Sequence, residues 1–285
     1  MNQLSFTEQI EFSVARLESE NTNGSRFFST GFFYEIPYDS DPQKRQVFII
    51  TNRHAVEGMK KITFCLSKGD MNNQNPIYET PLRQEMAINT IPVIFHPNKE
   101  VDLCSIPITV FINARNHFTS PVFYRTFCEA MLPSESDVRS FDALEDILMV
   151  GYPNGLWDER HNLPVFRKGI TATPIAIDYN GKKEFLIDAA CFKGSSGSPV
   201  MICDIGHVKN KFGGMTIGAS RTFLLGVLYK APVATMEGDI IMDNHPEMQT
   251  EAKAKTQIPI NIGRVINHKS LRELTVEIKN RLNIH

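Results

Sequence analysis

Apolar and polar residues alternate along this chain in short runs rather than in helical stripes. Segments 11–17, 26–36, 46–51, 61–66, 91–96, 103–110, 147–151, 165–173, 184–190, 199–203, 223–229 and 258–262 are rich in β-branched and aromatic residues and are punctuated by Asn, Gly, Pro and Asp, the pattern of strands. About a dozen strands without alternating helices predict an all-β chain built as barrels or sandwiches.

Three stretches break this rhythm. Residues 132–146 gather Pro133, serines and acidic side chains, and read as the connection between two β units, the first spanning residues 1–132 and the second 133–269. Residues 236–256 carry Asp239, Asp243, Glu247, Glu251, Lys253 and Lys255 with hardly any apolar content after Met242, the composition of a long surface loop. Behind Ser270, with Glu273 three residues on, Leu271, Leu274, Ile278 and Leu282 fall at helical intervals. That spacing predicts a capped amphipathic helix within the final segment, residues 270–285.

Composition narrows the function classes. Thirty basic against 32 acidic residues leave a formal charge of -2, so the chain has no basic field to gather phosphates and a nucleic-acid binder is disfavoured. With 42% hydrophobic residues over 285 positions there is material for one large domain or two small ones, and the disordered and fibrous classes fall away. The amino-terminal segment lacks the marks of an export signal, and no apolar run approaches the roughly 20 residues of a membrane span. A soluble, cytoplasmic protein without membrane partners is expected. Cys65, Cys104, Cys128, Cys191 and Cys203 are odd in number, lack a CxxC pair and sit among apolar neighbours, which reads as buried free thiols rather than disulfides or a metal site.

Candidate chemistry concentrates in residues 192–200, F-K-G-S-S-G-S-P-V. Small residues around Ser196 permit a tight turn, Gly194 and Gly197 can take dihedrals closed to other residues, and the amides of Gly194 and Ser196 can then converge on one spot as an oxyanion site. Such turns before strands are also common and inert. The G-x-S-x-G elbow fails because its last position is Ser198. Among the histidines, His54 directly follows an apolar run in I-I-T-N-R-H-A-V, where a strand end would hold its imidazole, whereas the others lie in polar loops or near the terminus, His96 at a strand end excepted. Asp102, in E-V-D-L-C-S-I-P-I, heads an apolar strand. Taken singly, each is an ordinary residue. Together, in an all-β chain, the order His54, Asp102, Ser196 is that of base, orienting acid and nucleophile in the chymotrypsin-type arrangement, and differs from the subtilisin and α/β-hydrolase orders. No HExxH motif or clustered His/Cys set points to a metal, and no cofactor is expected.

Over residues 11–269 the sequence resembles the trypsin-like serine peptidase family, and within it the bacterial branch related to HtrA-type protease domains. The resemblance is carried by T-G-F-F (30–33), T-N-R-H-A-V (51–56), V-D-L (101–103), G-Y-P-N-G (151–155), R-K-G-I-T-A-T (167–173), G-S-S-G-S-P-V (194–200) and L-L-G-V (224–227). It implies two six-stranded antiparallel β-barrels with the triad in the cleft between them, His54 as general base, Asp102 as its orienter, Ser196 as nucleophile, the Gly194 and Ser196 amides as oxyanion hole, and peptide-bond cleavage through an acyl-enzyme. By the same resemblance the substrate pocket involves Ala190, Phe192, Tyr229, Lys230 and Ala231, with Ala190 at the position that holds an acid in trypsins. Without that acid a small or medium apolar P1 residue suits the pocket, whereas Lys230 suits an acidic one, and both stand open.

Two positions depart from the family pattern. Ser195 stands where secreted digestive members have an aspartate that pairs with a newly cut amino terminus, which argues against zymogen activation of that kind. Ser198 replaces the second glycine after the nucleophile. No room is expected after about residue 282 for the peptide-binding domain of HtrA-type proteins. The partners implied are a protein or peptide substrate and a regulatory protein that restrains a peptidase in the bacterial cytoplasm. The competing expectation is a catalytically silent or latent member of the fold acting as a peptide- or protein-binding module. Because no triad residue is lost, a serine endopeptidase is the first expectation.

Overall fold

The computed structural model describes residues 4–70, 75–118, 121–239 and 253–284. Nine strands come first: β1 (Val14–Asn21), β2 (Arg26–Pro37), β3 (Arg45–Thr51), β4 (Met59–Gly69), β5 (Pro76–Ala87), β6 (Ile94–Phe95), β7 (Cys104–Pro107), β8 (Val122–Phe123) and β9 (Phe127–Cys128). They form one sheet in the order β5-β4-β1-β2-β3-β7-β6, with β8 added to β4 and β9 to β2. Ten follow: β10 (Asp146–Gly151), β11 (Val165–Thr171), β12 (Glu184–Asp188), β13 (Pro199–Asp204), β14 (His207–Lys209), β15 (Met215–Ile217), β16 (Arg221–Lys230), β17 (Val233–Asp239), β18 (Lys253–Pro259) and β19 (Ile262–Asn267). Six of these close a barrel, β10-β11-β12-β19-β16-β13, while β14-β15 and β17-β18 are separate two-stranded ribbons. The helices are α1 (Phe6–Glu11), α2 (Thr109–Phe118), α3 (Glu135–Ser140) and α4 (His268–Leu282). Among the described residues no helix is long and apolar enough to cross a membrane.

Three apolar clusters explain why these strands hold. In β2 and β3 successive residues serve opposite faces, as the pleat requires. Phe33, Val47 and Ile49 point into the core of the first sheet. Phe32, Tyr34, Phe48 and Ile50 point the other way, into a cluster shared with Val150, Tyr152 and Met201 of the barrel and with Leu271, Leu274 and Ile278 of α4. A third cluster, with Ile147, Met149, Phe185, Val200 and Val265, fills the barrel itself. The two β units are therefore joined by buried apolar surface, and α4 seals the seam. Truncating Leu274, fully buried in that seam, to alanine is expected to cost about 2 to 5 kcal/mol, read as a lower urea midpoint at unchanged slope.

The all-β architecture, the closed six-stranded barrel in the second unit and the carboxy-terminal helix follow the sequence expectation. The first unit has more strands than six because the two-residue pieces β6, β8 and β9 join its sheet, and β9 pairs with β2 in parallel. Strand β5 carries no clear signal in the sequence because it is an edge strand with most residues partly or fully exposed and Pro81 inside it, so its alternation is weak. Segment 11–17 is divided between the end of α1 and β1. The expected loop at 236–256 is ordered at both ends, where β17 and β18 pair from Val233↔Pro259 to Asp239↔Lys253; residues 240–252 lie outside the described residues. Helix α4 starts two residues before Ser270, with Asn267 as its cap accepting from Lys269 N at 3.1 Å. Glu273 is left to approach Nε2 of the buried His96 at 3.3 Å, where burial favours the neutral imidazole, and to pair with Lys183.

Candidate active site

The first strand pair delivers His54. Strand β3 ends at Thr51, and the fully buried Asn52 opens a 3-10 turn over Arg53–Ala55. Asn52 Nδ2 donates to the Asp102 carbonyl at 2.9 Å, which fixes the chain just ahead of β7. Asp102 then grips His54 twice: Oδ1 accepts from the His54 backbone N–H at 2.9 Å, and Oδ2 lies 2.6 Å from Nδ1. With Nδ1–H held by the carboxylate, Nε2 carries the free lone pair. The imidazole is half exposed and the carboxylate mostly covered, so the ring is fixed from below and open above. Arg53 braces the turn by donating to the His96 carbonyl at 2.9 Å and stacking on Phe95.

The second unit delivers Ser196 on the turn before β13. Gly194 and Gly197 have φ of +85° and +88°, in the left-handed region where a side chain strains the backbone. A Cβ at Gly197 would also collide with the Thr30 carbonyl. Gly197 N donates to the Leu228 carbonyl at 2.7 Å, and Leu228 N donates to the Ser198 carbonyl at 3.0 Å, so the turn is sewn to β16. Among the described residues the N–H groups of Gly194 and Ser196 donate to nothing, which leaves both as donors for an incoming oxygen. The Ser196 hydroxyl itself donates to the Tyr229 carbonyl at 3.4 Å, not to His54.

Thr30 in β2 is the residue that joins these parts. Its N–H donates to the Ser196 carbonyl at 2.8 Å and its Oγ1 to the Gly194 carbonyl at 3.0 Å. The same Oγ1 accepts from Tyr152 N at 3.0 Å, and the Thr30 carbonyl accepts from Thr51 Oγ1 at 2.7 Å, beside the His54 turn. In the sequence Thr30 stands out only as the first residue of the T-G-F-F motif. Nothing local marks it, since its partners lie 164 and 122 residues away.

His54, Gly194 and Ser196 line one cleft of about 610 Å³ together with Phe27, Phe28 and Met59. Of the expected pocket residues, Ala190 and Lys230 are exposed and Phe192 and Ala231 half-buried. Tyr229 departs from the expectation. Its ring lines a separate cavity of about 250 Å³ with Asp102, Glu184 and Glu273, because alternation along β16 sends Leu228 into the barrel and Tyr229 outward; what it turns to Ser196 is its carbonyl. Burial pushes the Tyr229 phenol well above its usual range, with Glu184 acting in the same direction. All five cysteines are free. Burial pushes the Cys191 thiol up to about 11, so it is no rival nucleophile at neutral pH.

No family model and no curated protein matches this sequence. Solved structures do match. The HtrA-type protease AlgW with a tripeptide aligns at 14% identity and a TM-score of 0.50, covering 95% of this chain and 61% of that one. The Rv3671c protease of M. tuberculosis in its active form aligns at 15% identity and a TM-score of 0.46, covering 94% and 81%. HL collagenase aligns at 12% and 0.48, covering 97% and 96%. At these identities the likeness is one of fold, and the fold is the chymotrypsin-like one of trypsin-like serine proteases.

Proposed function

We propose that this chain is a serine endopeptidase that cleaves peptide bonds through an acyl-enzyme. The observation that carries the reading is the double grip of Asp102 on His54, at a cleft that also holds Ser196 and two undonated amides. In this reading a peptide enters the cleft and the Ser196 hydroxyl swings from the Tyr229 carbonyl to His54 Nε2. Oγ attacks the carbonyl carbon while Nε2 takes the proton, and Asp102 stabilises the imidazolium that forms. The carbonyl oxygen becomes an oxyanion received by Gly194 N and Ser196 N, each such donor being worth about 10²- to 10³-fold in rate. Collapse breaks the C–N bond, His54 returns the proton to the leaving amine, and water, activated by the same imidazole, hydrolyses the ester.

A second reading, a silent peptide-binding module, draws support from the resting Ser196 hydroxyl, which bonds to Tyr229 rather than to its base. The five free cysteines suit a reducing compartment, so we infer a cytoplasmic setting. Incubation with an unfolded protein substrate tests the function. New amino termini should accumulate and should cease when the chain is first treated with a fluorophosphonate; binding of the substrate without new termini would favour the silent module.

A further inference from the structure

Beneath one wall of the expected substrate pocket lies a cation that has no counter-ion among the described residues. Arg167 of β11 pairs directly with Met149 of β10, and Met149 belongs to the core inside the barrel, so Arg167 leaves its strand on that same inner face. Two residues along, Gly169 allows the chain at 188–189 to pass so close that a Cβ would collide with the Asp188 carbonyl and the Ala189 side chain. The chain then continues through 190–192 over Arg167, whose guanidinium stacks on the Phe192 ring at 4.8 Å from its centroid.

The environment of this guanidinium is unusual for the chain. Arg167 is half-buried, and its Nη1 is shut off from solvent with no hydrogen-bond partner. Arg16 and Arg53 also bury an Nε without a partner, but Arg16 pairs with Glu18, Arg53 with Glu57 and the His96 carbonyl, Arg221 with Glu145 and Asp204, and Arg264 with Glu184, while Arg125 donates to the Tyr124 carbonyl. Burial pulls the Arg167 pKa down, and the Cys191 thiol is the group that opposes it. Asp188, the carboxylate closest in sequence to the wall, is exposed and forms no ion pair with Arg167. A desolvated charge without a partner is costly, and stacking on one ring offsets only part of that cost. Among the described residues no anion supplies that partner.

We propose that Arg167 is the specificity-determining residue of the primary pocket and that it selects substrates with an acidic residue, glutamate above all, at P1. The assignment rests on the endopeptidase reading and decides between the two P1 classes left open by Ala190 and Lys230. The guanidinium fork matches a carboxylate in shape and charge. The barrel behind Arg167 is closely packed: a Cβ at Gly263 would run into Leu228, Cys191 and Ile187. Lys230, exposed and solvated, adds positive potential at the rim.

The test uses fluorogenic peptides identical except for Glu, Gln, Ala or Arg at P1. Wild type should favour Glu over its isostere Gln by about a hundredfold in kcat/KM, and in Arg167→Gln that ratio should fall to about one. A wild type indifferent to Glu against Gln, or a ratio that survives in Arg167→Gln, overturns the assignment. A second arm separates this outcome from failure of the endopeptidase reading. Calorimetry on the Ser196→Ala protein measures binding of peptides ending in Glu or Gln, with and without Arg167→Gln. Glu binding about tenfold tighter only when Arg167 is present upholds the assignment even where no peptide is cleaved, in which case the endopeptidase reading alone fails. Equal binding of the two peptides overturns the assignment.

Discussion

Replacing Asp102 with asparagine lowers kcat/KM by about 10⁴-fold on any peptide the wild type cleaves, while the fold is retained. The carboxylate accepts from both the backbone N–H and the Nδ1–H of His54, at 2.9 and 2.6 Å. An amide has a single acceptor oxygen. If that oxygen keeps the backbone N–H, the amide NH₂ faces Nδ1, which must then give up its proton; the proton moves to Nε2 and the ring can no longer act as a base. The imidazolium also loses the negative charge that stabilises it. The cost falls on the chemical step, so kcat drops with KM little changed. A loss smaller than about tenfold would mean that Asp102 does not set the tautomer.

The second large effect is expected at Thr30, which touches no substrate. Thr30→Val keeps the side-chain shape but removes the donor to the Gly194 carbonyl and the acceptor for Tyr152 N. Gly194 then loses the contact that anchors its carbonyl, and the φ of +85° that aims its N–H is no longer held in place. One misdirected oxyanion donor should lower kcat by about 10²- to 10³-fold. The stranded Tyr152 N–H, in fully buried surroundings, should lower stability by about 1 to 3 kcal/mol. Thr30→Ser, which restores the hydroxyl, should recover most of both. A purely structural role would show in urea denaturation alone, whereas a positioning role shows in kcat with KM nearly constant and in the serine rescue.

What the sequence disclosed and what it concealed follow from the range of the interactions. Strands such as β2, β3 and β16 were legible because period-two burial is written locally, and the order of His54, Asp102 and Ser196 needed only motif and position. The pairing of His54 with Asp102 then appears in the geometry. Short elements were harder to see. Helix α3 depends on a capping box between Ser134 and Asp137 inside a stretch that reads as a linker, and β17 and β18 hold one another through pairing across a polar interval. Least legible were the residues whose meaning comes from partners far along the chain: Thr30 as the brace of the oxyanion turn, Tyr229 with its ring on the Asp102 side, and Arg167 beneath Phe192. Arg167 reads in sequence as one basic residue of an alternating strand, and only the closure of the barrel brings it under the pocket wall.

The central claim is that His54 activates Ser196 for attack, and covalent labelling tests it without knowledge of the natural substrate. The purified chain is incubated with a fluorophosphonate and examined by intact-mass and peptide-mapping mass spectrometry, beside a His54→Ala variant shown by circular dichroism to be folded. The account predicts a single adduct on Ser196 in the wild type and its loss in the variant. A folded wild type that takes up no label, or a His54→Ala protein labelled at Ser196 equally fast, would contradict it.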